Sequence, residues 1–224
     1  MKYKENIVKA TFVKRHNRFV AQVILNDKTV FCHVKNTGRC KEIFLPGAKV
    51  YLAESDSTTR KYKYSLIAVE KKGMLINVDS QAPNKVAGEY LAEKYDFDYI
   101  KPEVTYGRSR FDFYAEKAGK KYYIEVKGVT LEKEGVASFP DAPTVRGLKH
   151  VNELICAKHD GYECMLLFIV QMKGIEYFEP NDINDPDFSA ALRKADKEGV
   201  KIHAVDCVVA PEFLYADKEV KIKL

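Results

Sequence analysis

Arg108-Ser-Arg-Phe-Asp-Phe-Tyr114 and, nine residues on, Tyr123-Ile-Glu-Val-Lys-Gly-Val-Thr-Leu131 decide how this chain is read. Both runs are rich in β-branched and aromatic residues, and the turn-rich Glu116-Lys-Ala-Gly-Lys-Lys121 lies between them. Side chains alternate faces along a strand, so Glu125 and Lys127 point one way while Ile124 and Val126 point the other. A hairpin closed symmetrically about Ala118-Gly119 sets Asp112 directly opposite Glu125, with Cβ atoms about 4.5–5.5 Å apart. Two carboxylates at that separation repel unless a proton or cation lies between them. Asp112, Glu125 and Lys127 on one face therefore read as a divalent-metal site, Asp112 and Glu125 its ligands, with an ammonium beside it. The alternative is an Asp112–Lys127 cross-strand salt bridge.

Hard carboxylate oxygens suit Mg²⁺ or Mn²⁺, which bind through one or two carboxylates and keep several waters. Such an ion neutralises a scissile phosphate and lowers the pKa of a bound water, and a lysine beside it steadies developing charge. The pattern points to phosphodiester hydrolysis, with catalytic candidates Asp112, Glu125 and Lys127.

N-terminal to this hairpin the chain reads as short strands: Ile7–Arg15, Arg18–Leu25, Thr29–Lys35, Lys49–Glu54, Lys61–Glu70 and Met74–Val78. Turn signals separate them, and Gly38–Phe44 suits a short helix. Strands without alternating helices fit an OB-fold-like antiparallel barrel over residues 1–82. That segment carries 16 Lys and Arg against 7 Asp and Glu, net +9, whereas residues 83–224 carry 21 against 25, net −4. Basic and aromatic residues interleave on the barrel strands, Arg18 and Phe19 among them, as in barrels that hold nucleic acid on stacking platforms along a positive groove. Lys35 and Arg39 extend the candidate contacts with DNA; solvated surface charge is the competing reading.

Near residue 80 the pattern changes. A helix opens at Ser80-Gln-Ala-Pro-Asn84 and runs to Tyr95, with Glu89 at the edge of its apolar arc as a fourth candidate ligand or catalytic group and Glu93 as its rival. After the hairpin, Glu132–Ser138 reads as loop, and a helix spans Thr144–Lys158 with Leu148, Val151 and Ile155 buried. Arg146 and His150, four apart, share a face with Lys149 adjoining, a candidate phosphate clamp. Arg110 is a further candidate contact. Cys164–Gln171 reads as a central strand, Asp187–Glu198 as a helix and Val200–Val205 as a strand. Residues 83–224 thus form an α/β domain around one mixed sheet.

The longest apolar run, Cys164–Val170, is far shorter than the roughly 20 residues of a membrane span. Met-Lys-Tyr-Lys-Glu-Asn at the start lacks a secretory apolar segment. Five cysteines without a Cys-x-x-Cys pair fit free thiols in a reducing, cytoplasmic setting. Cys32, His33 and Cys40 lack the four closely spaced ligands of a zinc site.

Arg110-Phe-Asp112 with Ile124-Glu-Val-Lys127-Gly-Val-Thr-Leu131 resembles the sugar fermentation stimulation protein A family. So do Phe139-Pro-Asp-Ala-Pro-Thr-Val-Arg146-Gly-Leu-Lys-His150-Val-Asn-Glu-Leu154 and His33-Val-Lys-Asn36-Thr-Gly38. The resemblance implies an N-terminal OB-fold and a domain similar to the PD-(D/E)xK nucleases, in proteins that bind DNA and are linked to regulation of sugar (maltose) metabolism. It sets the nuclease motif on Asp112, Glu125 and Lys127 and the motif's helical glutamate on Glu89. Phe111 stands where the motif has proline, at a position that carries no chemistry. Two functions follow: a metal-dependent nuclease, or a non-catalytic DNA-binding regulator.

Overall fold

The computed structural model describes all residues, Met1–Leu224. Six strands come first: β1 (Asn6–Asn17), β2 (Val20–Leu25), β3 (Lys28–Val34), β4 (Lys49–Glu54), β5 (Tyr64–Lys71) and β6 (Met74–Asn77). Their order is β3-β2-β1-β4-β5-β6, antiparallel between neighbours. A parallel pairing of β3 with β5, from Cys32–Tyr64 to Val34–Leu66, closes the sheet into the expected barrel. Closure removes the open edges that an antiparallel sheet otherwise exposes. Along β2 the alternation sends Ala21, Val23 and Leu25 inward. Arg18-Phe19 is a turn rather than the start of β2, and the expected helix at Gly38–Phe44 is irregular chain and turn.

The second domain is three-layered. Its sheet runs β15 (Phe213–Glu219), β14 (Lys201–Ala210), β12 (Glu163–Val170), β9 (Lys120–Val129), β8 (Ser109–Lys117) and β7 (Tyr99–Tyr106). β9, β12 and β14 are mutually parallel, whereas β7, β8 and β15 pair antiparallel to their neighbours. Helix α1 (Ala82–Tyr95) covers one face, packing Val86, Ala87 and Leu91 on Ile124, Val126, Leu167 and Ile169. Helices α2 (Val145–His159) and α3 (Pro186–Lys197) cover the other, against Leu166, Phe168 and Val170. Thr144 caps α2 by accepting the Gly147 N–H at 3.0 Å, and Asp185 caps α3 through Phe188 N–H at 3.0 Å.

The segment Glu132–Ser138, expected as loop, instead contributes to β10 (Leu131–Lys133) and β11 (Val136–Phe139). With β13 (Tyr177–Pro180) and β16 (Lys221–Ile222) they build a second, four-stranded sheet. Such short strands carry too few alternations to stand out from loop. The barrel interior and the α2/α3 face share one continuous core through Phe44, Val78, Val129 and Ala137. The barrel sits at the carboxyl ends of the parallel strands, with the Asn77 N–H donating to Gln171 O at 2.9 Å. In open α/β sheets that edge is where ligand crevices form. No helix is long and apolar enough to cross a membrane, and all five cysteines are free.

Candidate metal and nucleic-acid site

The β8–β9 hairpin turns through Ala118 (φ 50°) and Gly119 (φ 75°), the left-handed pair that a two-residue turn requires. Its register is the symmetric one, from Lys117–Lys120 through Phe113–Ile124. There the ladder stops, one pair short of Asp112 and Glu125. Phe111 packs in the α2-side core and Phe113 in the α1-side core, which regular alternation does not permit for residues two apart. The β7–β8 ladder also skips Asp112: Glu103, between the pairs Pro102–Phe113 and Val104–Phe111, has φ 55°. The strand is kinked at Asp112, and such kinks re-aim a side chain. Asp112 Oδ2 now accepts the Val126 N–H at 2.8 Å, and Oδ1 accepts Asn84 Nδ2 at 2.6 Å.

Glu125 is buried on the α2 side. Its Oε1 accepts from both Lys127 Nζ and His150 Nδ1, while Oε2 is buried without a partner. Burial would raise the Glu125 carboxyl, but the hydrogen bonds and charges of His150 and Lys127 outweigh it and hold the group below its ordinary value. Asp112 goes the other way, raised by burial and then by the charge of Glu125. An ionised carboxylate with an unpartnered oxygen beside a second acid fits a cation. No group of three or more His, Cys, Asp or Glu side chains gathers here or elsewhere. The donor set is thus the two carboxylates, a number that suits an ion retaining its waters, as Mg²⁺ does.

A cleft of about 950 Å³ runs past this site between the barrel and the second domain. Arg15, Arg18, Arg39, Lys41 and Lys127 line it, against one acid, Asp141. Asn84 and Val126, which bond Asp112, form part of its wall with Gly128 and Gln171, while Asp112 and Glu125 themselves stand behind the lining. A concave site lined by one sign of charge concentrates polyanions. Arg15 has a structural task as well. Its guanidinium donates to the carbonyls of Gly38 (2.7 Å), Arg39 (3.0 Å), Arg18 (2.7 Å) and Asn36 (2.5 Å), and lies over the Phe44 ring.

The candidate residues separate accordingly. Asp112, Glu125 and Lys127 come together. Glu89 does not join them: it binds the Met1 ammonium at 2.6 Å. Five residues beyond Asn84, it points about 140° away round the helix, so Asn84 is the α1 residue that reaches Asp112. Arg18 and Arg39 line the cleft, and Phe19 is exposed next to Arg18. Lys35 is tied to Asp79 at 3.1 Å. Arg110 pairs with Glu103, and Lys149 donates to Arg108 O; these two and the exposed Arg146 lie outside the cleft lining. His150 is no surface clamp, being 6% exposed against Glu125. Sequence reasoning missed Asn84, Lys41 and Gly128, and read Arg15 only as one of the basic residues interleaved on the barrel strands. A Cβ on Gly128 would lie 2.6 Å from both Gln171 Oε1 and Pro83 Cγ, so this glycine lets the start of α1 approach β9.

Comparison with known proteins bears on both domains. Residues 13–78 match the SfsA N-terminal OB domain, and residues 81–213 match the sugar fermentation stimulation protein RE domain. The sugar fermentation stimulation protein homolog of Desulfitobacterium hafniense (strain Y51) is 52% identical over 226 residues, 100% of this chain and 99% of its own. That of Clostridium tetani is 51% identical, covering 99% of each chain. The solved structure of Pyrococcus furiosus SfsA in complex with Ca²⁺ superposes with a TM-score of 0.87 at 28% identity, covering 100% of both chains. The chain belongs to the sugar fermentation stimulation protein family.

Proposed function

We propose that the chain binds DNA in the cationic cleft and hydrolyses phosphodiesters at Asp112, Glu125 and Lys127 with Mg²⁺ or Mn²⁺. The observation that carries this reading is Glu125 Oε2, buried and unpartnered on an ionised carboxylate beside a second acid. A relative of the same fold was solved with Ca²⁺, another hard, oxygen-seeking divalent cation. A bound cation would neutralise phosphate charge and acidify a water. Asp112 and Glu125 hold it, and Asn84 and the Val126 amide hold Asp112. Lys127 lies on the cleft wall, where its ammonium can turn to a phosphate oxygen. Arg18, Arg39 and Lys41 place the backbone of the strand. The five free thiols favour a cytoplasmic setting.

The test is incubation of the purified protein with single-stranded, duplex and branched DNA, with and without Mn²⁺, beside Asp112→Ala. Metal-dependent cleavage lost in the variant is the expected result; cleavage that the variant keeps sinks the catalytic claim. One observation favours a second reading, a non-catalytic DNA-binding regulator of sugar (maltose) metabolism genes: both Asp112 oxygens already accept protein hydrogen bonds. Salt-sensitive DNA binding with no cleavage under any condition would select it.

A further inference from the structure

We propose that His150 is a positioning residue of the metal centre, donating from Nδ1 to lock Glu125 so that Oε2 is left for the cation. The inference rests on Asp112 and Glu125 holding a divalent ion. Oε1 already accepts from the Lys127 ammonium, which can only donate, so the carboxylate is the acceptor here and Nδ1 of His150 is the second donor. Both donors to Glu125, Lys127 and His150, use Oε1, and none reaches Oε2. That asymmetry fixes the rotation of the carboxylate about its terminal bond.

The two donors are not equivalent. Lys127 lines the cleft and can be drawn away by an incoming phosphate. His150 stands outside the cleft lining, and its ring is held edge-on to Phe111 with centroids 6.3 Å apart at 86°. Its helix is anchored by the Thr144 cap and by Gly147, where a Cβ would lie 2.7 Å from Thr144 Cγ2. When Lys127 turns to phosphate, His150 alone keeps Glu125 in place. Partners of this kind orient metal-binding carboxylates, and their loss costs on the order of 10–100-fold in metal affinity.

The experiment measures Mn²⁺ affinity directly, from the electron paramagnetic resonance signal of free Mn²⁺ titrated with full-length protein. The variants are His150→Asn, His150→Leu, His150→Gln and Glu125→Gln, each checked for a wild-type circular dichroism spectrum. Asparagine can present an N–H near the Nδ1 position; leucine has no donor, and glutamine carries its amide one bond too far. The expected result is affinity within a few-fold of wild type for His150→Asn and a loss on the order of 10–100-fold for His150→Leu. His150→Gln serves in its place if the leucine variant does not fold. Wild-type affinity in the leucine or glutamine variant overturns the proposal, as does an equal loss in His150→Asn. Wild-type protein that binds Mn²⁺ no better than Glu125→Gln removes the metal site itself, a result distinct from failure of the His150 role alone.

Discussion

Asp112 accepts the Val126 amide at 2.8 Å at the point where β8 leaves β9, so the carboxylate bonds the backbone beside Glu125 instead of pairing across the ladder. The splay leaves the two acids near each other, and burial and then the charge of Glu125 raise Asp112. Added Mn²⁺ should relieve this repulsion and raise the melting temperature. At about 100 times its dissociation constant the gain should be about 2.7 kcal/mol. Asp112→Ala and Glu125→Gln should lose the Mn²⁺ response. A thermal-shift titration of the three proteins reads this, and an equal response in all of them counts against the site.

Arg15 and its cleft neighbours should behave differently when removed. Arg18→Ala and Arg39→Ala should each weaken DNA binding, lower the slope of log affinity against log salt by about one, and leave stability within about 0.5 kcal/mol. Arg15→Ala deletes a guanidinium that holds four loop carbonyls, and should cost on the order of 2–4 kcal/mol as well as affinity. Urea unfolding beside DNA titrations at several salt concentrations separates the two classes. Equal stability losses in all three variants would count against the distinction.

The hairpin register was legible because its determinants are local: a tight turn at Ala118-Gly119 and a period-2 pattern on both arms. The departure at Asp112 was not, because it comes with a left-handed residue, Glu103, on β7, which no pattern in β8 reveals. Glu89 was chosen for its charge at the edge of an apolar arc. Which face of α1 meets the site depends on how the helix docks, and Gly128 permits that docking. A glycine inside a strand was the available signal. His150 was taken for a surface cation, although Gly147, His150, Val151, Leu154 and Ile155 make a continuous helical stripe, and all five are buried. Arg15 read as one of the basic residues interleaved on the barrel strands, but its loop-holding role carried no signal, since nothing on β1 indicates that the 36–39 loop folds back over it.

Gly128→Ala should be expensive for so small a change. The new methyl would meet Pro83 Cγ and Gln171 Oε1 at 2.6 Å each, and Pro83 precedes the Asn84 that holds Asp112. Overpacking of this kind costs about 1–3 kcal/mol. Because the strain falls on the start of α1, the variant should also lose Mn²⁺ affinity. Urea denaturation with Mn²⁺ titration checks both, and wild-type values for both would show that α1 yields freely.

Lys71 and Glu132 join β5 of the barrel to β10 of the second domain. Lys71 Nζ donates to Glu132 Oε2 at 2.6 Å, and Glu132 Oε1 accepts the Gly135 N–H at 2.8 Å. Burial alone would raise Glu132, but the bond from Lys71, the Gly135 amide and nearby lysines hold it below its ordinary 4.5. A carboxyl depressed in the folded state contributes stability above its unfolded pKa and loses it as pH falls through the folded value. The contribution should therefore be complete at pH 7 and fade below about 4.5. Lys71→Met leaves the Glu132 charge buried without its partner, which costs about 3–5 kcal/mol at neutral pH. The gap between variant and wild type should narrow on acidification, because protonated Glu132 no longer needs the ammonium. Melting temperatures of both proteins from pH 7 to pH 3.5 test this, and a gap that stays constant across the range would show that Lys71 acts through packing rather than charge.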